Sequence, residues 1–142
     1  MLKVATIILI VMLAYAGVYG IMLVFTPKVV MESSFEAATG EKLENIQNAD
    51  YLKIMLGEMR HLGIFVLTVV ISSFFFLFVG FRKAEKWAWW AMLVVGIIAW
   101  GYGLIINFVT GDTFNAFLHL IGIVIFFVGL LIPVKIFFAK KA

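Results

Sequence analysis

The chain has 142 residues, of which 65% are hydrophobic and 13% charged, and its mean hydropathy is +1.15. Soluble domains hold roughly 45–50% apolar residues, so this composition excludes an ordinary water-soluble fold and points to one domain whose length is mostly spent in a bilayer. A net charge of +3 and an isoelectric point near 9.3 would suit nucleic acid, but the basic residues flank apolar runs, where they meet lipid head groups and set orientation. The absence of cysteine removes disulfides, thiolate metal ligands and thiol redox chemistry.

Residues 4–25 form the first apolar run, interrupted by Thr6, Tyr15, Tyr19 and two glycines, and at ~1.5 Å per residue they suffice for a ~30 Å hydrocarbon core. Ala14-Tyr15-Ala16 has the small-x-small look of a signal-peptide cleavage site, but the preceding n-region holds only Lys3, which favours a retained span. Thr26 is placed to cap a new helix and Pro27 to open it. Over residues 28–38, Met31, Phe35 and Ala38 share one face while Glu32, Ser33, Ser34 and Glu36 fall elsewhere, the pattern of a short amphipathic interfacial helix ended by Gly40. Residues 41–50 are hydrophilic and read as an exposed connection, with Asn48 or Asp50 capping the next helix.

Leu52, Met55, Leu56 and Met59 begin a helical pattern that continues unbroken to Phe81, so the second span, residues 59–81, has a water-side extension and enters the hydrocarbon near His61. The charged turn containing Arg82, Lys83, Glu85 and Lys86 is so short that the third span, residues 87–109, must return antiparallel. Trp87, Trp89 and Trp90 at its start read as an interfacial aromatic belt. After a tight turn at residues 110–113, the fourth span occupies residues 114–138, with Pro133 kinking its last turns. The expected architecture is therefore an all-α integral membrane four-helix bundle, a single domain over residues 1–142, with an outer loop at residues 27–58.

Lys and Arg fix the orientation. Lys3, Arg82, Lys83, Lys86, Lys135, Lys140 and Lys141 share one side, against Lys28, Lys42, Lys53 and Arg60 on the other, which places both termini in the cytoplasm. In that topology Glu58, Arg60, His61, Asn107, Asn115 and His119 gather near the outer surface, with Tyr15 and Tyr19 in the outer half of the first span. Helical spacing aligns Glu58, His61, Phe65, Thr68 and Ser72 on the second span, Gly96, Trp100, Gly103 and Asn107 on the third, and Asn115, His119, Gly122, Phe126 and Gly129 on the fourth. These polar and small stripes are expected to face inward, because glycine permits close helix approach and ionisable groups are costly in lipid. The eight polar residues form the candidate ligand-binding set, in which His61 and His119 hydrogen-bond a quinone, isoprenoid or sterol-like guest and Arg60 attracts an anionic head group.

The bland alternatives are interfacial anchoring for Glu58, Arg60 and Asp112, a locally satisfied imidazole for each histidine, and simple packing for the tyrosines. Glu58-x-x-His61 has the spacing of di-iron bundles, but too few further carboxylates share its depth, so no metal site is expected. No phosphate loop, nucleophile elbow or zincin motif occurs.

A first span closing in Phe25-Thr26-Pro27, a long connection, and Glu58-x-Arg60-x-x-Gly63 opening the second span resembles the DoxX-like and DUF4345-type small four-helix membrane proteins. The order Gly111-Asp112 and the position of His119 depart from that pattern. The resemblance implies a membrane protein related to small subunits of sulfur-compound and quinone-linked oxidoreductases, and it transfers no catalytic residue. The expected function is noncatalytic: an accessory or structural subunit, or a binder of a lipophilic ligand at an outer-leaflet vestibule, located in a prokaryotic plasma membrane. Membrane lipids, other membrane subunits or further copies of the chain are the expected partners, and nucleic acid is not. No cofactor is expected beyond a quinone or similar lipophile. The alternatives are a membrane-embedded enzyme acting on a lipid, isoprenoid or quinone, with His61 and His119 moving protons, and an oligomeric channel or transporter, for which no continuous polar stripe is visible.

Overall fold

In the computed structural model, which describes residues 1–139, the helices are α1 (Leu2–Phe25), α2 (Pro27–Thr39), α3 (Ala49–Val79), α4 (Lys86–Val109), α5 (Thr113–Leu131) and α6 (Val134–Phe138). No strand forms among the described residues. Three helices are long and apolar enough to cross a membrane: Leu2–Phe25, the stretch Ala49–Lys83 and Lys86–Val109. The protein is an integral membrane protein of all-α class.

Local chemistry sets the helix ends. Gly40 closes α2 with φ of 72°, a left-handed backbone that a side chain would strain. Asn48 caps α3, its Oδ1 accepting from the N–H groups of Asp50 and Tyr51 at 3.0 and 3.3 Å. Thr26 does not cap α2. Its hydroxyl donates back to the Met22 carbonyl at 3.0 Å, completing the end of α1 instead. The hydrophilic connection is also less open than its composition suggests, because a single 3-10 turn at Leu43–Asn45 buries Leu43 completely.

The helices pack as α1 on α3, α4 on α5 and α1 on α5, while α3 and α4 make a smaller contact. Glycines fix the two main pairs. A methyl group added at Gly63 would lie 2.9 Å from both the Gly20 carbonyl oxygen and the Leu23 Cβ, so α3 and α1 cross with their backbones nearly touching. Between α4 and α5 rings alternate with glycines: Phe126 sits on Gly96, Trp100 on Gly122 and His119 on Gly103.

The α1–α3 crossing overturns the face expected for the second span. Gly63, Val70, Ser73 and Leu77 are the buried positions of α3, whereas Glu58, His61, Phe65 and Thr68 are exposed. The close approach at Gly63 decides the rotation of the helix, and the polar stripe follows it outward. The expected faces of α4 and α5 do point inward, since Gly96, Gly122, Phe126 and Gly129 are buried.

The fourth apolar segment is not one continuous helix. Pro133 has no N–H to give the preceding turn, so α5 stops at Leu131 and α6 restarts at Val134. The break frees carbonyls of the last turn, and Trp89 answers one of them: its Nε1 donates to the Leu130 carbonyl at 3.0 Å. Trp89 is consequently buried, unlike the exposed Trp87 and Trp90. Phe81 and Phe137, both fully buried with ring centroids 4.8 Å apart, close the core at the same end.

Candidate functional site

Because α3 leans on α1 and α4 leans on α5, a space remains between α3 and α4. It is a cavity of about 340 Å³, within the ~300–1,000 Å³ range of small-molecule sites. Leu62, Val66 and Val70 of α3 form one wall, Val95, Ala99 and Trp100 of α4 the other, and α1 and α5 supply the back. Phe65 and Tyr102 also line it, one from each wall, and they are 69% and 66% exposed. The cavity therefore opens sideways between α3 and α4.

Most of its polar groups lie towards one end, Tyr19 from α1 with Asn115 and His119 from α5, while Tyr15 of α1 and Ser73 of α3 also line it at a deeper level. The histidine is held by two neighbours. Its Nδ1 lies 3.0 Å from Asn107 Nδ2 and 2.9 Å from the Asn115 carbonyl oxygen. An unprotonated Nδ1 accepts from the Asn107 amide, and a protonated one donates to the Asn115 carbonyl. Either way Nδ1 is engaged and Nε2 has no hydrogen-bond partner among the described residues. Nε2 is not sealed off, since no buried side-chain nitrogen or oxygen there lacks a partner. It lies over the bare Cα of Gly103 of α4, and it is the ring nitrogen left without a hydrogen-bond partner.

Asn115 ties this end to the chain outside the long helices. Its Nδ2 donates to Asp112 Oδ2 at 2.6 Å and to the Ser34 hydroxyl of α2 at 3.1 Å. Its backbone N–H donates to Asp112 Oδ1 at 3.0 Å, making Asp112 the cap of α5. Burial alone would raise the Asp112 carboxyl. Hydrogen bonds from the Asn115 side chain and backbone and from the Ser34 hydroxyl, with the nearby His119 imidazole, outweigh that and hold it below the usual aspartate value.

Of the eight candidate residues, Tyr15, Tyr19, Asn115 and His119 line the cavity, and Asn107 stands behind His119. Glu58, Arg60 and His61 lie elsewhere, exposed on α3. Glu58 Oε1 and His61 Nδ1 sit 3.7 Å apart with both side chains more than 70% exposed, a local surface pair. His61 is thus not among the residues that line the cavity with His119, although Phe65, one turn further along α3, is. No group of three or more histidine, aspartate or glutamate side chains comes together among the described residues. Among the described residues no lysine, arginine, aspartate or glutamate lines the cavity, so its chemistry is apolar contact plus hydrogen bonding.

Three contributors were not evident from the sequence. Ser34 reads as part of the wet face of α2. Tyr102 reads as one more aromatic in a greasy span. Ser73 is masked by its neighbour Ser72, although Gly63, Val70, Ser73 and Leu77 at i, i+7, i+10 and i+14 carry the correct face once Gly63 is taken as the contact point.

Fold and site together define a helical integral membrane protein with a side-opening apolar cavity. No protein-family model, curated protein or solved structure matches the chain.

Proposed function

We propose that the protein is a noncatalytic binder of a neutral lipophilic molecule, taken up from the bilayer through the gap between α3 and α4. The observation that carries this reading is the cavity itself: an apolar space flanked by the exposed Phe65 and Tyr102, with an unpartnered imidazole nitrogen at His119. A purely structural subunit would gain nothing from leaving that volume unfilled, because empty space forfeits packing contacts.

In this reading α5 and α6 together make a fourth crossing. The 19 residues of α5 rise ~28 Å, close to the ~30 Å hydrocarbon thickness. The balance of Lys and Arg then puts both termini on the cytoplasmic side of a prokaryotic plasma membrane, with the polar end of the cavity in the outer leaflet. The resemblance to DoxX-like proteins fits a protein that serves a larger membrane assembly by holding a lipophile for it. An enzymatic reading has one supporting observation, the unpartnered Nε2 of His119. Among the described residues the other titratable groups on the cavity lining are the Tyr15 and Tyr19 hydroxyls, and His61 is not one of the lining residues.

Mass spectrometry of lipids retained after gentle solubilisation tests the proposal. A neutral lipophile held in near-stoichiometric amount is expected, and recovery of bulk phospholipid alone would refute it.

A further inference from the structure

We infer that Ser73 is a second, deep hydrogen-bonding point of this cavity, and that the guest is a neutral lipophile with two oxygen functions, one met by His119 and one by Ser73. The inference rests on the lipophile-binding reading and names the chemistry of its ligand.

Ser73 is only 3% exposed, yet it lines the cavity. Hydroxyls inside membrane helices commonly turn back on the carbonyl four residues earlier. Thr6, Thr68 and Thr110 all do so, at 2.9, 2.9 and 3.0 Å. The Ser73 hydroxyl makes no hydrogen bond to any described residue. It is not enclosed by protein either, because no buried side-chain oxygen or nitrogen among the described residues lacks a partner. Its Oγ therefore faces the open volume.

The register of the helices places Ser73 deeper than His119. Gly20 of α1 faces Leu67 of α3, and Gly129 of α5 faces Leu9 of α1. Carried along the three helices, these contacts set Ser73 about one and a half turns below His119, ~8 Å at 1.5 Å per residue. A simple alkyl chain reaching that level would lay methylene against the hydroxyl and leave it unpaired, which is unfavourable in an apolar site. A guest with a second oxygen at that distance satisfies both groups. With no lysine or arginine among the described residues of the lining, nothing there favours a carboxylate or phosphate as either oxygen function.

Dodecane-1,6-diol and dodecane-1,12-diol test this directly, having the same composition but only the first placing its oxygens at about the required spacing. Isotope-labelled diols are titrated against the protein in phospholipid nanodiscs, with empty nanodiscs subtracted. The wild-type protein is expected to prefer the 1,6 isomer about fivefold, the ratio given by one net hydrogen bond of ~1 kcal/mol. Ser73→Ala should abolish that preference, and Ser72→Ala, at the neighbouring serine that does not line the cavity, should leave it in place. Binding of both diols without discrimination, or a preference that survives in Ser73→Ala, overturns the role of Ser73 while leaving the lipophile reading intact. Binding of neither diol above empty nanodiscs overturns both.

Discussion

Gly63 and Gly57 lie on the same helix, and alanine at Gly63 should leave the protein less stable than alanine at Gly57. At Gly63 the added methyl would stand 2.8 Å from Val24 Cγ2 and 2.9 Å from the Gly20 carbonyl oxygen and the Leu23 Cβ. Two of these belong to or adjoin the α1 backbone, so relief requires moving a helix rather than turning a rotamer. Overpacking of this kind costs about 1–3 kcal/mol. Alanine also gains about 1 kcal/mol of helix propensity over glycine, and Gly57 isolates that term because nothing lies within 4 Å of its added methyl. Gly57→Ala is therefore expected to stabilise slightly, with Gly63→Ala about 1–3 kcal/mol below it. Reversible unfolding in mixed micelles or bicelles measures the difference. Equal stability of the two variants would refute the claim that the Gly20–Gly63 crossing fixes how α3 is rotated.

Trp89→Phe keeps most of the buried ring but leaves the Leu130 carbonyl without its donor, and a loss of about 1–3 kcal/mol is expected in the same unfolding assay. Asp112 titrates below the usual range when folded, so its contribution is fully present above the unfolded value of ~3.9 and disappears as pH falls through the lower folded value. Wild-type protein should accordingly lose stability relative to Asp112→Asn only below about pH 4, and a difference varying between pH 5 and 7 would contradict this. Double-mutant cycles separate the two histidines: His61→Ala and His119→Ala should add within ~0.5 kcal/mol, whereas Asn107→Ala and His119→Ala should couple by more than that.

Much of the fold could be read from residue order because bilayers impose strong rules. The apolar runs, the turn at Arg82 and Lys83, the caps at Gly40 and Asn48, and the ring-and-glycine faces of α4 and α5 all follow from local pattern. Rotation of α3 does not, since two stripes compete on it. One is polar, led by Glu58 and His61, and the other is small, led by Gly63. The polar stripe is exposed on the first half of the helix, and the close helix packing at Gly63 prevails over it. The site was legible to the same extent. Residues on α1, α4 and α5 converge as their spacing indicates, but Glu58, Arg60 and His61 are exposed on α3 and do not line the cavity. Trp89 and Ser34 were hidden for a different reason. Each answers a group on a segment distant in sequence, Leu130 and Asn115 respectively, and such pairings leave no trace in the local pattern.

The central claim is that the gap between α3 and α4 holds a lipophile, and filling it tests this most directly. Val69 lines the cavity beside the opening, and Val69→Trp would occupy part of the volume from a position that is already partly exposed. Lipids co-purifying with wild-type and Val69→Trp protein are compared by quantitative mass spectrometry. One neutral lipophile, enriched over the surrounding membrane in the wild type and depleted in the variant, is the predicted result. Identical profiles dominated by bulk phospholipid in both proteins would contradict it.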